Sequence, residues 1–214
     1  FLYYNSLMSI EIKKSIKPIN YLDALKLLEE RVDKINKKQA NELIWILEHP
    51  STFTSGINFK EKDIIDGSID IIKTSRGGKI TWHGPGQLIC YVIINLNNRK
   101  KDIRNFLNIL ENSIIDSLKT FGIQSYSDRK NIGIWTKLNN NDEKKIGAIG
   151  IKVRKWITYH GFSININNDI SNYKKIIPCG IKNRGITTLK KIKNQSYKKF
   201  ADEFIKNLII NLKI

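Results

Sequence analysis

Two cysteines, three histidines and one glycine-rich stretch are the parts of this chain whose types and spacing could do chemistry. Cys179 stands in "IIPCGI", between Pro178 and Gly180. Those neighbours predict a turn with an exposed or half-exposed thiol, and an accessible thiolate is a strong nucleophile. Cys90 stands in "QLICYVIINL", a run of strand-forming apolar residues, and reads as a small buried hydrophobe. Two cysteines in 214 residues make no disulfide framework. His83 and His160 are the residues that would pair with Cys179 in a cysteine hydrolase. His49, just before Pro50, reads as a loop or strand-end residue with a local hydrogen bond. No Cys/His spacing suggests zinc.

The stretch "RGGKITWHGPGQ", residues 76–87, carries glycines at 77, 78, 84 and 86 and cannot be mainly core. A phosphate cradle is the first thought, and the spacing argues against it. A P-loop needs a glycine five residues before its Gly-Lys and a Ser or Thr after it. Here position 73 is lysine, and Gly78-Lys79 is followed by Ile80. A dinucleotide fingerprint must open a helix, whereas this stretch runs into strand-like "QLICYVIINL". It therefore reads as a loop joining two strands, whose glycines let backbone N–H groups approach a ligand. Arg76 and His83 offer polar contacts there. A glycine-rich hairpin with no ligand is the alternative on spacing alone.

Three amphipathic segments must position these residues. Apolar residues recur every three or four positions over 19–36, 103–121 and 197–212, the helical period. Asp102 is a plausible N-cap of the second helix and Gly122 its stop. Strand-like runs cover 9–16, 42–48, 69–74, 87–96, 131–136, 145–153 and 157–166, and "LNNNDEKK" at 138–145 is the most loop-like stretch. Strands punctuated by a few helices, with no strict alternation, predict one α+β domain with a mixed sheet flanked by helices. That domain is expected over 8–214, with "FLYYNSL" at 1–7 a leader outside it.

The net charge of +17 raises nucleic acid as a partner. Yet only seven of the 37 basic residues are arginine, the usual base-edge and phosphate-fork residue. A basic face meeting an acidic protein fits the charge equally well. No apolar run approaches the roughly 18 residues that span a bilayer, so no membrane partner is expected, and a cytoplasmic location is.

The pattern Arg76-Gly77-Gly78-x-x-Thr81-Trp82-His83-x-x-Gly86-Gln87-x-x-x-Tyr91 resembles the signature of the octanoyltransferases of lipoate synthesis. The resemblance continues, in the family's order, through "LEHPSTFTSG" (47–56), "NIGIWT" (131–136), "KKIGAIGIKVRKWITYHGFSININ" (144–167) and "IIPCGI" (176–181). It implies a biotin/lipoate protein ligase-like fold. It also implies transfer of an octanoyl group from acyl carrier protein, through a cysteine thioester, to a lysine of lipoyl domains. Those domains belong to 2-oxo acid dehydrogenase complexes and the glycine cleavage H-protein. Carried over by motif, the catalytic residues are Cys179 and Lys145, the latter preferred to Lys144 because it directly precedes the apolar "IGAIGI" strand. The substrate-contacting residues are Arg76, Gly77, Gly78, Lys79, Ile80, Thr81, Trp82 and His83, then Ala148, Ile149 and Gly150, then Gly161, Phe162 and Ser163. His160, Gln87 and Tyr91 are expected to support the site. No cofactor and no metal are expected, because a thioester arrives already activated. The alternatives are an ATP-dependent lipoate or biotin protein ligase on the same fold and, further off, a basic nucleic-acid-binding module.

Overall fold

The computed structural model describes residues 10–138, 142–177 and 184–213. Its helices are α1 (Tyr21–Asn36), α2 (Ile103–Thr120), α3 (Leu189–Ile192) and α4 (Phe200–Asn211). Its strands are β1 (Ile10–Lys14), β2 (Glu42–Leu47), β3 (Thr52–Ser55), β4 (Ile71–Lys73), β5 (Ile80–His83) and β6 (Gln87–Ile93). They continue with β7 (Tyr126–Ser127), β8 (Ile134–Lys137), β9 (Glu143–Arg154), β10 (Ile157–Asn165) and β11 (Gly185–Ile186).

Side chains of a strand alternate between its two faces, and β6 shows what that does here. Ile89, Tyr91 and Ile93 join a core with Ala24, Leu28, Val32 and Ile35 of α1. Cys90 and Val92 join a core on the other side with Phe106, Leu110 and Ile114 of α2 and Phe200, Phe204 and Leu208 of α4. A strand covered on both faces is apolar throughout, which is why "QLICYVI" shows no polar alternation. α2 begins and ends where the sequence predicts, while α1 starts at Tyr21 and α4 at Phe200, two and three residues inside their expected stretches. Asn20 accepts from the Leu22 N–H, Asp102 accepts from the Asn105 N–H at 2.9 Å, and Gly122 follows the last turn of α2.

Among the described residues the main sheet runs β1-β2-β6-β10-β9-β8-β7, with β11 beside the start of β9. β1 pairs parallel with β2 and β11 parallel with β9, and the other neighbours are antiparallel. The sheet is mixed and flanked by helices, as the strand pattern predicts.

The glycine-rich stretch departs from expectation. It is not one loop between two strands of one sheet. Its middle, Ile80–His83, is itself a strand, β5, in a second sheet of order β4-β3-β5. The turn at 84–86 therefore carries the chain from the small sheet into β6 of the main one. Phe53, Ile80, Trp82, Tyr173 and Ile176 form the small sheet's own core.

Candidate active site

The two sheets meet in a narrow, half-open cleft. The turn leading into β5 is held down on one side by β3's continuation. Gly56, Ile57 and Asn58 donate backbone N–H groups to the carbonyls of Lys79, Arg76 and Gly78. On the other side the Gly77 N–H donates to the Ile151 carbonyl at 3.3 Å. That N–H is thereby occupied, so it is not one of the donors that the glycines were expected to offer a ligand.

The opposite wall comes from two strands that the register brings face to face. Ala148 pairs with Ser163, Ile149 with Phe162 and Gly150 with Gly161. Two segments chosen separately in the sequence are thus one two-stranded patch. Gly161 permits this patch to lie against β6, because a methyl group there would run into the Cys90 carbonyl oxygen.

The cleft is lined by Arg76, Gly78, Lys79, Ile80, Thr81, His83, Tyr91 and His160, together with the six residues of that patch. Tyr21 and Ile89 complete it and were not anticipated. Tyr21 reads in the sequence only as the first apolar position of a helix stripe. Of the expected residues, Gly77 and Trp82 do not line the cleft. The Trp82 ring packs edge-on against Tyr173 in the small core, and its indole N–H donates to Ser51 Oγ at 3.0 Å. Alternation along β5 explains this, since Thr81 and His83 take the face that Trp82 leaves.

Arg76 is buried and acts as a clamp within the turn. Its Nη2 donates to both the carbonyl and the hydroxyl of Thr54 at 2.9 Å, and its Nη1 to the Gly77 carbonyl at 2.9 Å. Only a planar fork can reach all three at once.

All three histidines gather here, although they lie far apart in the sequence. His83 Nδ1–H donates to Gln87 Oε1 at 2.7 Å, which leaves Nε2 as an acceptor. Gln87 is fully buried, and its amide nitrogen donates to Asn165 Oδ1 and the Tyr173 hydroxyl, both at 2.9 Å. His49 Nδ1–H donates to the Ile19 carbonyl at 2.6 Å and its Nε2 accepts from the Tyr91 hydroxyl at 2.6 Å. Its bonds are long-range, not the local ones its place before a proline suggests. His160 adopts φ 61°, an uncommon backbone for a non-glycine, with its ring stacked on Tyr159 at 4.9 Å.

Burial keeps these imidazoles neutral. Removal from water pushes His83 down to about 3, helped by the neighbouring His49. His160 is likewise pushed down to about 3, by burial first and then by Arg76 and Lys152. His49 is lowered by burial, and the Tyr91 phenol is raised well above its usual value by the same cause. The cations that line the cleft, Arg76 and Lys79, thus stand among neutral imidazoles and a neutral phenol.

Lys145 lies next door. A small adjoining pocket is lined by Lys145, Gly147, Asn165, Tyr173 and Ile186 and shares Thr81, Ala148 and Ser163 with the cleft. A register shift turns Lys145 inward. Ile134 pairs with Gly147 but Trp135 with Lys145, so Ile146 has no partner on β8. Bulges re-aim side chains in this way. The Lys145 ammonium donates to the Ile132 carbonyl at 2.8 Å and sits 5.4 Å from the centre of the Trp135 ring. Lys145 is only 5% exposed, whereas Lys144 is partly exposed and pairs with Asp142 at 2.9 Å. Of two adjacent lysines, only the expected one reaches the site.

Cys179 falls outside the described residues. The chain that follows it resumes at Arg184, which bonds Asp128 at 2.6 Å and lies over the Trp135 ring at 4.8 Å. At Gly185 and Ile186 it pairs with Lys144 and Lys145. Cys90 is wholly buried, and burial holds its thiol well above the ordinary range, which makes it inert. Among the described residues no cluster of His, Cys, Asp or Glu could hold a metal ion, and no helix is long and apolar enough to cross a membrane.

A mixed sheet with long helices on both faces, and a cleft between it and a smaller sheet, is the architecture of the lipoyl and biotin protein ligases. An archaeal bi-partite lipoate protein ligase from Thermoplasma acidophilum matches 96% of this chain and 85% of its own length, at TM-score 0.70 and 14% identity. A lipoate-protein ligase A bound with ATP covers 95% and 86%, at TM-score 0.68 and 14% identity. A biotin protein ligase from Aquifex aeolicus with biotin and ATP covers 96% and 70%, at TM-score 0.53 and 15% identity. At such identities the likeness is one of fold.

The model of the lipoyl protein ligase A/B catalytic domain matches residues 20–209, and the chain belongs to that family. Within it, the chain is similar to octanoyltransferases. That of Rickettsia bellii is 44% identical over 178 residues, 82% of this chain and 85% of the relative. That of Ehrlichia chaffeensis is 44% identical over 194 residues, 89% and 90% of the two chains.

Proposed function

We propose that this chain is an octanoyltransferase that moves an octanoyl group from acyl carrier protein, through a thioester on Cys179, to a lysine of a lipoyl domain. The observation that carries the reading is identity of 44% to octanoyltransferases over more than four-fifths of the chain. The adjoining of the cleft and Lys145 through Thr81, Ala148 and Ser163 supports it.

The chemistry follows from the groups present. In the first step the Cys179 thiolate attacks the thioester carbonyl of the donor. A carbon–sulfur bond forms to Cys179, the one to the carrier's phosphopantetheine breaks, and the carrier leaves as a thiolate that takes up a proton. One thioester replaces another, so the step is nearly neutral in free energy. In the second step the neutral amine of the acceptor lysine attacks, an amide forms, the amine's proton leaves, and the Cys179 thiolate returns. This step is downhill. Splitting the transfer means that two protein substrates need not bind together.

Lys145 stabilises the thiolate as a nearby cation and relays the protons of both steps. Tyr21, Ile89 and Tyr91 give the acyl chain an apolar wall, and Gly78, Gly150 and Gly161 leave it room. The neutral histidines hold the cleft's shape and add no charge that an apolar chain would have to desolvate. The acceptors are lipoyl domains of 2-oxo acid dehydrogenase complexes and of the glycine cleavage H-protein.

The shared fold with an ATP-bound ligase favours one rival, activation of free octanoate by ATP. A transfer assay separates the two readings. A lipoyl domain should gain an octanoyl group from octanoyl-acyl carrier protein without ATP and none from free octanoate with ATP. The reverse pattern would establish a ligase.

A further inference from the structure

Gly133 lies two residues before Trp135, with φ 144°, a backbone that side-chain-bearing residues rarely adopt. The space where its Cβ would sit is taken by Lys145. That atom would stand 2.8 Å from the Lys145 ammonium, closer still to Cε, and 2.7 Å from the Gly147 carbonyl oxygen. The same segment also supplies the Ile132 carbonyl that accepts from the ammonium at 2.8 Å and the Trp135 ring beneath it. A carbonyl, a missing side chain and a ring face thus form a cradle fitted to the end of a lysine.

We propose that Gly133 is a positioning residue for Lys145: the empty space at Gly133 fixes where the ammonium stands, and so where it acts in acyl transfer. The role rests on the reading above, in which Lys145 serves Cys179. The bulge at Ile146 turns the lysine inward, Gly133 makes room for its last two atoms, and the Ile132 carbonyl sets their direction. A methyl group at 133 pushes Cε and the ammonium out to van der Waals contact, a move of roughly 1 Å, and a displacement of that size can cost about 100-fold in rate.

The test uses wild-type protein with Gly133→Ala, Lys145→Ala and the double variant. The first readout is the pH profile of Cys179 alkylation, followed by peptide mass, beside the rate of acyl-enzyme formation. Gly133→Ala should slow acylation by about 10- to 100-fold. It should also move the alkylation midpoint upward, towards that of Lys145→Ala, with little further effect in the double variant. A purely structural role would leave the midpoint in place. If Lys145→Ala alone leaves the midpoint unmoved, the assignment of Lys145 fails and this inference with it. If Lys145→Ala moves it and folded Gly133→Ala does not, only the inference fails.

Should Gly133→Ala unfold, thermal stability gives the second readout. Placed on the Lys145→Ala background, where the lysine has vacated the space, the substitution should lower the melting temperature less than it does in wild type. Equal losses on both backgrounds would mean that the two sites act independently and would overturn the proposal.

Discussion

Replacing Gln87 with leucine should destabilise the protein through one bond more than through any other. Gln87 is fully buried and bonds three partners in the site, His83, Asn165 and Tyr173. Leucine nearly matches its volume, so the cavity contribution is small. Asn165 Oδ1 still accepts from Asn168 Nδ2 at 3.2 Å, and the Tyr173 hydroxyl still donates to the Trp82 carbonyl at 3.1 Å. His83 Nδ1–H keeps nothing that Gln87 gave it. One orphaned buried donor costs about 1–3 kcal/mol, and weakening two further bonds brings the loss to about 2–4 kcal/mol. In a domain of this size that is a fall of about 4–16 °C in melting temperature. Urea and thermal unfolding of wild type and Gln87→Leu measure it. A companion variant, Gln87→Glu, sets a carboxylate on His83 and should raise its pKa well above about 3, as NMR titration would read. A Gln87→Leu protein within about 0.5 kcal/mol of wild type would refute the claim that this amide holds His83.

Three other outcomes follow from the same geometry. Arg76→Lys should cost about 1–2 kcal/mol in urea unfolding and raise KM for the octanoyl donor, because an ammonium cannot bond Thr54 and the Gly77 carbonyl together. His83 and His160 are held near about 3 in the folded chain, below the ordinary value of about 6.5. The unfolded chain therefore binds more protons between those values, and stability, full above pH 6.5, declines as pH falls towards 3. The slope of unfolding free energy against pH from 6 to 4.5 should flatten by about one proton in His160→Gln. Iodoacetamide should label the native protein at Cys179 and not at Cys90, and Cys90→Ala should leave acyl-enzyme formation unchanged; peptide mapping and the acylation rate decide both.

The long elements were legible because they are periodic. The stripes of α1, α2 and α4 and the two-sided apolar run of β6 each follow from how those segments are buried. Of the small sheet only β4 was legible, within the strand-like run 69–74. β3 and β5 are four residues long, and β5 sits among glycines, so no period could develop. The site's ordered blocks were legible as motifs, and the register of β9 with β10 then folds one of them, 144–167, back on itself so that Ala148–Gly150 faces Gly161–Ser163. The gathering of His49, Tyr91, His83 and Tyr21 was not, because each contact joins strands or helices distant in the chain. The choice of Lys145 over Lys144 rests in the sequence on one apolar neighbour. In the fold it rests on a bulge, which no local pattern announces.

Transfer through Cys179 leaves a covalent mark on the protein, which intact mass can read. Purified protein should be incubated briefly with octanoyl-acyl carrier protein, without ATP, beside Cys179→Ala. The account predicts a gain of one octanoyl group on the wild type, mapped to the Cys179 peptide, released by hydroxylamine and absent from the variant. No adduct on the wild type, with a lipoyl domain modified instead from free octanoate and ATP, would contradict it.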